Sequence, residues 1–119
     1  MKIKILKSKI HRATVTKACL DYEGSISIDR LLLEAAGIIT YEKVHVLNVT
    51  NGNRLETYAI PSNDKGHICI NGAAAHLVSP GDVVIIVSYG QTDTREASLS
   101  TPKLVYVDDD NNIIKNDAR

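Results

Sequence analysis

The sequence predicts a mainly β domain, a small barrel of six to seven strands with short helices, on three observations. Apolar and polar residues alternate with period two in segments such as Lys2-Ile3-Lys4-Ile5 and Val44-His45-Val46, a spacing that turns one side of each strand inward. Turn chemistry recurs at short intervals, at Asn51-Gly52, Asn71-Gly72 and Pro80-Gly81-Asp82; Asn-Gly supplies the positive φ that tight hairpins need. Helix signals are scarce, and 119 residues form one domain that buries about two-thirds of its unfolded surface. Many short strands in so small a domain favour closure into a barrel.

The elements follow in order. Lys2 to Ile5 opens in alternation, and Thr14-Val15-Thr16 continues in β-branched residues. Asp29 is a good N-cap for a helix over Arg30–Ala36, and Gly37 suits its C′ position. Val44 to Thr50 and Arg54 to Ile60 flank Asn51-Gly52 as a hairpin, with Pro61 and the polar run Ser62 to Gly66 ending the return strand. His67–Ile70 is a short strand, and Ala73-Ala74-Ala75 beyond Asn71-Gly72 suits one helical turn. Val83–Val87, bounded by Pro80-Gly81-Asp82 and Gly90, is a continuous apolar run expected to be buried on both faces. Asp93 to Ala97 can form a further helical turn, and Lys103–Val107 closes the strand set before an acidic turn at Asp108 to Asn112.

Composition narrows the function classes. Lys plus Arg and Asp plus Glu are each 14, so the formal net charge is zero and the broad positive field of a non-specific nucleic-acid or membrane binder is missing. Without Trp or Phe, the core must be aliphatic. Cys19 and Cys69 form no CxxC pattern and sit in apolar runs, which predicts buried free thiols. His45, His67 and His76 show no metal-ligand spacing. The N-terminus has no apolar h-region, and no stretch approaches the ~20 apolar residues of a membrane span. A cytoplasmic protein without membrane or nucleic-acid partners is the expectation.

The polar residues that periodicity leaves unexplained point to chemistry on the chain itself. Tyr22-Glu23-Gly24-Ser25-Ile26 places Gly-Ser between two β-like runs, where Gly24 permits a strained backbone. A Ser25 hydroxyl held against the Gly24 carbonyl carbon could convert the amide to an ester. Elimination from that ester would break the chain and leave dehydroalanine, which hydrolyses with loss of ammonia to a pyruvoyl group. Around this pair Lys9-Ile10-His11-Arg12-Ala13, Tyr22 to Asp29, Asn48 to Gly52, Arg54, Thr57-Tyr58 and Asn71-Gly72-Ala73-Ala74-Ala75-His76 fall in order. In order and spacing this set, from about Lys7 to Val107, resembles the aspartate 1-decarboxylase family.

The resemblance implies a double-psi β-barrel, a homotetramer, and a proenzyme that cleaves itself between Gly24 and Ser25 into chains 1–24 and 25–119. It implies a pyruvoyl group made from Ser25, with no metal and no pyridoxal phosphate, that condenses with the amine of L-aspartate as a Schiff base and acts as an electron sink. Loss of the α-carboxylate would give β-alanine and CO2 for pantothenate synthesis. Tyr58 is then the proton donor, and Thr57 assists cleavage at the Gly24 oxyanion and binds substrate. Arg54, helped by Lys9, takes the second carboxylate; Asn71, Gly72, Ala73 and Ala74 contact substrate, with His11 and Tyr22 in support. Period two sets Arg54 and Tyr58 on one face and Thr57 on the other, so a bulge, a twist or a site shared between subunits is needed to unite them.

Two departures from the family pattern stand out: Leu47 where Trp is common, and a Ser62–Gly66 loop one residue shorter. Residues 111–119 are expected as a disordered tail, and an accessory maturation factor is a further implied partner. The alternative is a β-barrel binding module for nucleic acid or protein, suggested by Lys2, Lys4, Lys7, Lys9 and Arg12. Those cations alternate between faces, and five Tyr without Phe or Trp make a poor stacking platform.

Overall fold

A computed structural model describes residues 1–118, the last two of them through their backbone alone. The described chain runs β1 (Lys2–Thr14), β2 (Lys17–Cys19), β3 (Ser25–Asp29), α1 (Arg30–Ala36), β4 (Lys43–Asn48), β5 (Arg54–Ser62) and β6 (Ile68–Asn71). It continues through a 3-10 helix (Gly72–Leu77), β7 (Val83–Asp93), α2 (Thr94–Ala97), β8 (Lys103–Val107) and β9 (Ile113–Ala118). The strands lie in the order β2-β6-β3-β5-β4-β7-β1-β8-β9. The class is mainly β, as the alternation requires.

Closure comes from the two residues between β1 and β2. Val15 exchanges backbone hydrogen bonds with Gly81 and Asp82, continuing the β1–β7 ladder, while the Thr16 amide donates to the Ile68 carbonyl at 2.8 Å and leads into the parallel β2–β6 ladder. One continuous strand therefore pairs with β7 on one edge and β6 on the other. Counted round this circuit, with β1 and β2 as one, there are six strand positions; β8 and β9 extend the sheet beyond it. Ile10, Val15, Ile26, Ile28, Val44, Val46, Ile68, Ile70, Val84 and Ile86 fill the interior, joined by Leu32, Leu33 and Ala36 of α1. The helix starts and stops as its caps dictate: Asp29 accepts from the Leu31 amide, and Gly37 takes φ 68°.

Several boundaries differ from the sequence expectations, each for a tertiary reason. β5 continues through Pro61, because there it pairs only with β3 and the missing N–H falls on an unpaired edge. β7 runs past Gly90 to Asp93 because the start of β1 offers it partners. Its outer face is only half covered at Val83 and Ile85, so Val83–Val87 is not sealed on both sides. Cys69 is buried, but Cys19 is half-buried.

The tail expected from residue 111 onward is instead structured over its described part. Asn111 is buried at φ 62°, its side chain accepting from the Thr14 amide and donating to the Thr14 and Gly66 carbonyls. Ile113–Ala118 then pairs antiparallel with β8, satisfying an edge that would otherwise be open; Arg119 lies outside the described residues.

Candidate active site

Ser25 opens β3, and its environment is built by pairing. In the antiparallel β3–β6 ladder Ser25 faces Asn71 and Ser27 faces Cys69, so these four polar side chains share one face while Ile26, Ile28, Ile68 and Ile70 fill the core on the other. Ser25 is 1% exposed. The Asn71 Nδ2 donates to Ser25 Oγ at 2.9 Å and to Ser27 Oγ at 3.1 Å. The Cys69 thiol in turn donates to Asn71 Oδ1 at 3.2 Å. Burial pushes the Cys69 thiol up, aided by Cys19 and opposed by Lys17, so it stays protonated at neutral pH and remains a donor. Ser25 Oγ thus accepts from Asn71 and keeps its own O–H as a donor.

Gly72 accounts for the close approach around this hydroxyl. It takes φ 75°, and a Cβ there would lie 2.9 Å from Gly24 Cα, 3.0 Å from Gly24 N and 3.1 Å from the Tyr22 carbonyl oxygen. The 3-10 helix that begins at Gly72 thus packs directly on the exposed Tyr22–Gly24 turn. Backbone strain was expected at Gly24, yet Gly24 has no left-handed φ and a Cβ there would meet nothing within 4 Å. The constrained glycine is Gly72.

The 3-10 helix is fixed at its far end by an asparagine cluster. Asn48, Asn51 and Asn53 each donate a side-chain N–H to the Leu77 carbonyl, at 3.4, 3.1 and 3.2 Å. The Asn51-Gly52 hairpin is therefore also the brace of the segment carrying Gly72, exposed Ala73 and half-buried Ala74. Pattern reading missed this brace, Ser27 and the role of Cys69; the recurring asparagines were the available signal, but nothing local joins them to Leu77.

Tyr58 lies beside Ser25 by register. In the parallel β3–β5 ladder Ile26 pairs with Ala59, so Ser25 and Tyr58 immediately precede partners on strands about 4.8 Å apart. Tyr58 is 36% exposed and its ring centroid is 6.1 Å from that of Tyr41. Thr57 is half-buried on the inward side of β5, with Leu55 and Ala59. No bulge interrupts either ladder of β5, so within one chain Thr57 and Tyr58 stay on opposite faces.

The cations stand apart. Arg54 is four residues from Tyr58 along β5, about 13 Å in extended chain. Lys9 belongs to the row Lys9, Val87, His45, Glu56 across β1, β7, β4 and β5. Among the described residues neither Arg54 nor Lys9 has a carboxylate partner. Leu47 is half-buried opposite Arg54, and with His45, Leu55 and Glu56 they line a shallow groove of about 360 Å³. His11 packs edge-on to Tyr106 at 5.6 Å, its Nδ1 buried without a hydrogen-bond partner among the described residues. Burial, then the Lys9 and Arg12 charges, lower its pKa, so the ring is neutral at pH 7. Tyr22 contributes its carbonyl at the Gly72 contact, while its side chain is exposed. Among the described residues no cluster of His, Cys, Asp or Glu could hold a metal ion, and no helix is long and apolar enough to cross a membrane.

The chain is similar to known proteins over most of its length. The family described as aspartate decarboxylase matches residues 1–114. An aspartate 1-decarboxylase of Campylobacter jejuni is 56% identical over 115 residues, covering 97% of this chain and 91% of the relative. One from Acetivibrio thermocellus is 58% identical over 115 residues, covering 96% and 91%. Among solved structures, the rationally designed protein mkDPBB_sym1, a double-psi β-barrel design, matches 72% of this chain with a TM-score of 0.47 and 16% identity.

Proposed function

The chain belongs to the aspartate decarboxylase family, and from that premise we propose that it is a self-processing, pyruvoyl-dependent enzyme converting L-aspartate to β-alanine and CO2. It is a decarboxylase; the reading adds how its own residues serve the reaction. The observation that carries it is the buried Ser25 hydroxyl, held by Asn71 Nδ2 at 2.9 Å under the Gly24 turn on which Gly72 packs.

In this reading Ser25 Oγ attacks the Gly24 carbonyl carbon and the amide becomes an ester. Asn71 fixes the direction of the attacking oxygen, and the Thr57 hydroxyl stabilises the developing Gly24 oxyanion. Elimination, with loss of the Ser25 Cα proton, releases residues 1–24 with a carboxylate at Gly24 and leaves dehydroalanine; hydrolysis of that group, taking up water and releasing ammonia, gives the pyruvoyl group at the start of 25–119. A buried serine at a chain junction, amid neutral hydrogen-bonding side chains, fits that group. When formed, the group supplies an electron sink for decarboxylation of a bound amine.

The remaining residues bind and move protons. Arg54, with Lys9, holds the side-chain carboxylate of L-aspartate, for which both cations lack a competing partner among the described residues. Asn71 and the Gly72-Ala73-Ala74 segment line the substrate, small residues allowing close backbone approach. Tyr58 returns a proton to the α-carbon after CO2 leaves. His11 and Tyr22 support the site.

A homotetramer is part of the same reading. Lys9, Arg54 and Tyr58 all lie on the outer face of β1, β7, β4 and β5, where Ile85 and Leu47 are half-buried. Another copy laid on that face brings cations of one chain to Ser25 of its neighbour. We place the enzyme in the cytoplasm, supplying β-alanine for pantothenate synthesis, with an accessory protein assisting maturation.

Intact mass under denaturing conditions tests the cleavage. Two fragments meeting at Gly24 and Ser25 are expected, the larger lighter by the ammonia lost; Ser25→Ala should leave one inactive chain. Tyr58→Phe should still cleave, with kcat lowered about 100-fold or more. A processed parent without aspartate turnover, or a Tyr58→Phe enzyme with the parent's kcat, contradicts the assignment.

A further inference from the structure

Tyr41 is a bulky residue in a conformation that bulky residues avoid. It takes φ 71° in the connection between α1 and β4, where Gly or Asn is the ordinary occupant. Its side chain is 74% exposed, so core packing does not explain it. Its ring meets that of Tyr58: the two lie 6.1 Å apart at 57°, within the range where tilted aromatic pairs attract.

The backbone on both sides is anchored to the strand that carries Tyr58. The Tyr41 amide donates to the Ala59 carbonyl at 2.7 Å, and the Ala59 amide donates to the Glu42 carbonyl at 3.0 Å. Glu42 is tied by its carboxylate to Lys7 Nζ at 2.8 Å, to the Ile39 amide at 3.1 Å and to the Ser88 hydroxyl. The connection can therefore neither drift nor relax its left-handed residue cheaply, and the strained residue sets its ring against the half-exposed phenol.

We propose that Tyr41 is a positioning residue for Tyr58, its ring fixing the rotamer from which the Tyr58 phenol delivers its proton. This rests on Tyr58 being the proton donor and adds the group that aims it. A misdirected donor slows proton delivery without weakening substrate binding. The strained backbone gives the idea a second signature: removing the side chain harms the reaction while relieving the fold.

The test uses the processed enzyme. Tyr41→Gly, which accepts the left-handed φ, is expected to cleave fully and melt no lower than the parent, with kcat down about tenfold and KM unchanged. Tyr41→Phe, which keeps the ring, should retain most of the parent's kcat. Tyr41→Gly with the parent's kcat overturns the proposal, as does a loss matched by incomplete cleavage, a lower melting temperature or a raised KM. Tyr58→Phe separates the two readings. If it turns over normally, the proton-donor assignment fails and takes this proposal with it; if it is impaired while Tyr41→Gly is not, only the role of Tyr41 falls.

Discussion

At the scale of single residues, the site depends on steric and hydrogen-bonding detail more than on charge. Ser25 is flanked by neutral donors and acceptors, Asn71, Ser27 and Cys69, whose orientations are mutually fixed. Gly72 is the residue with least latitude. Its φ of 75° disfavours any side chain, and the atoms an added Cβ would strike belong to the backbone of Tyr22 and Gly24. Gly72→Ala is expected to cost about 1–3 kcal/mol and to slow cleavage at Gly24 markedly. Thermal denaturation and time-resolved intact mass read the two effects; a variant that melts and cleaves like its parent removes Gly72 from the site. Gly24, next to the proposed cleavage point, has no comparable steric demand.

At the scale of elements, the connections do most of the positioning. The α1–β4 connection is held to the barrel by Lys7 Nζ, which donates to the Gly37 carbonyl at 2.6 Å and to both Glu42 oxygens. Burial alone would raise the Glu42 carboxyl; hydrogen bonds from Lys7, Ser88 and the Ile39 amide, with the Lys7 charge, outweigh it and hold the pKa below 4.5. A carboxylate depressed in the folded state stabilises fully above its unfolded pKa and loses that contribution as pH falls through the folded value. Glu42→Gln should therefore cost about 1–2 kcal/mol at pH 7, toward the lower end because Lys7 is partly solvated. The gap from the parent should narrow as pH drops below 4.5. Urea denaturation across that range checks the sign, since a gap that widens in acid would mean the carboxylate is destabilising.

At the scale of the whole molecule, one chain gathers Gly24, Ser25, Asn71, Gly72 and Tyr58 but leaves Arg54 at the far end of β5 and Lys9 three strands beyond it on β1. The proposed tetramer makes this a testable division. Ser25→Ala and Arg54→Ala chains should each be inactive alone. Co-assembled at equal amounts, they should regain about a quarter of the parent's working sites if each site draws on two subunits of a symmetric oligomer. No recovery from co-assembled chains would mean that Arg54 serves the Ser25 of its own chain. The same outer face explains why the apolar run Val83–Val87 is not buried throughout: Val83 and Ile85 are half-buried on that side, and only Val87 is covered there.

What the sequence by itself determined is local. Period-two alternation set which residues face inward, Asp29 and Gly37 bounded α1, and the ordered motifs identified the family and singled out Ser25 for the proposed chemistry. These follow from backbone stereochemistry and side-chain chemistry, which need no knowledge of distant partners. The tertiary structure decided what depends on residues far apart in the chain. It carried β5 through Pro61 and β7 past Gly90 because partner strands were there, and paired the expected tail as β9. It joined three asparagines to one carbonyl, aimed Asn71 at Ser25, and moved the glycine constraint from Gly24 to Gly72. Hydrogen-bond satisfaction and steric exclusion act between whichever atoms the fold brings within a few ångströms, and no pattern of period two or 3.6 encodes that meeting.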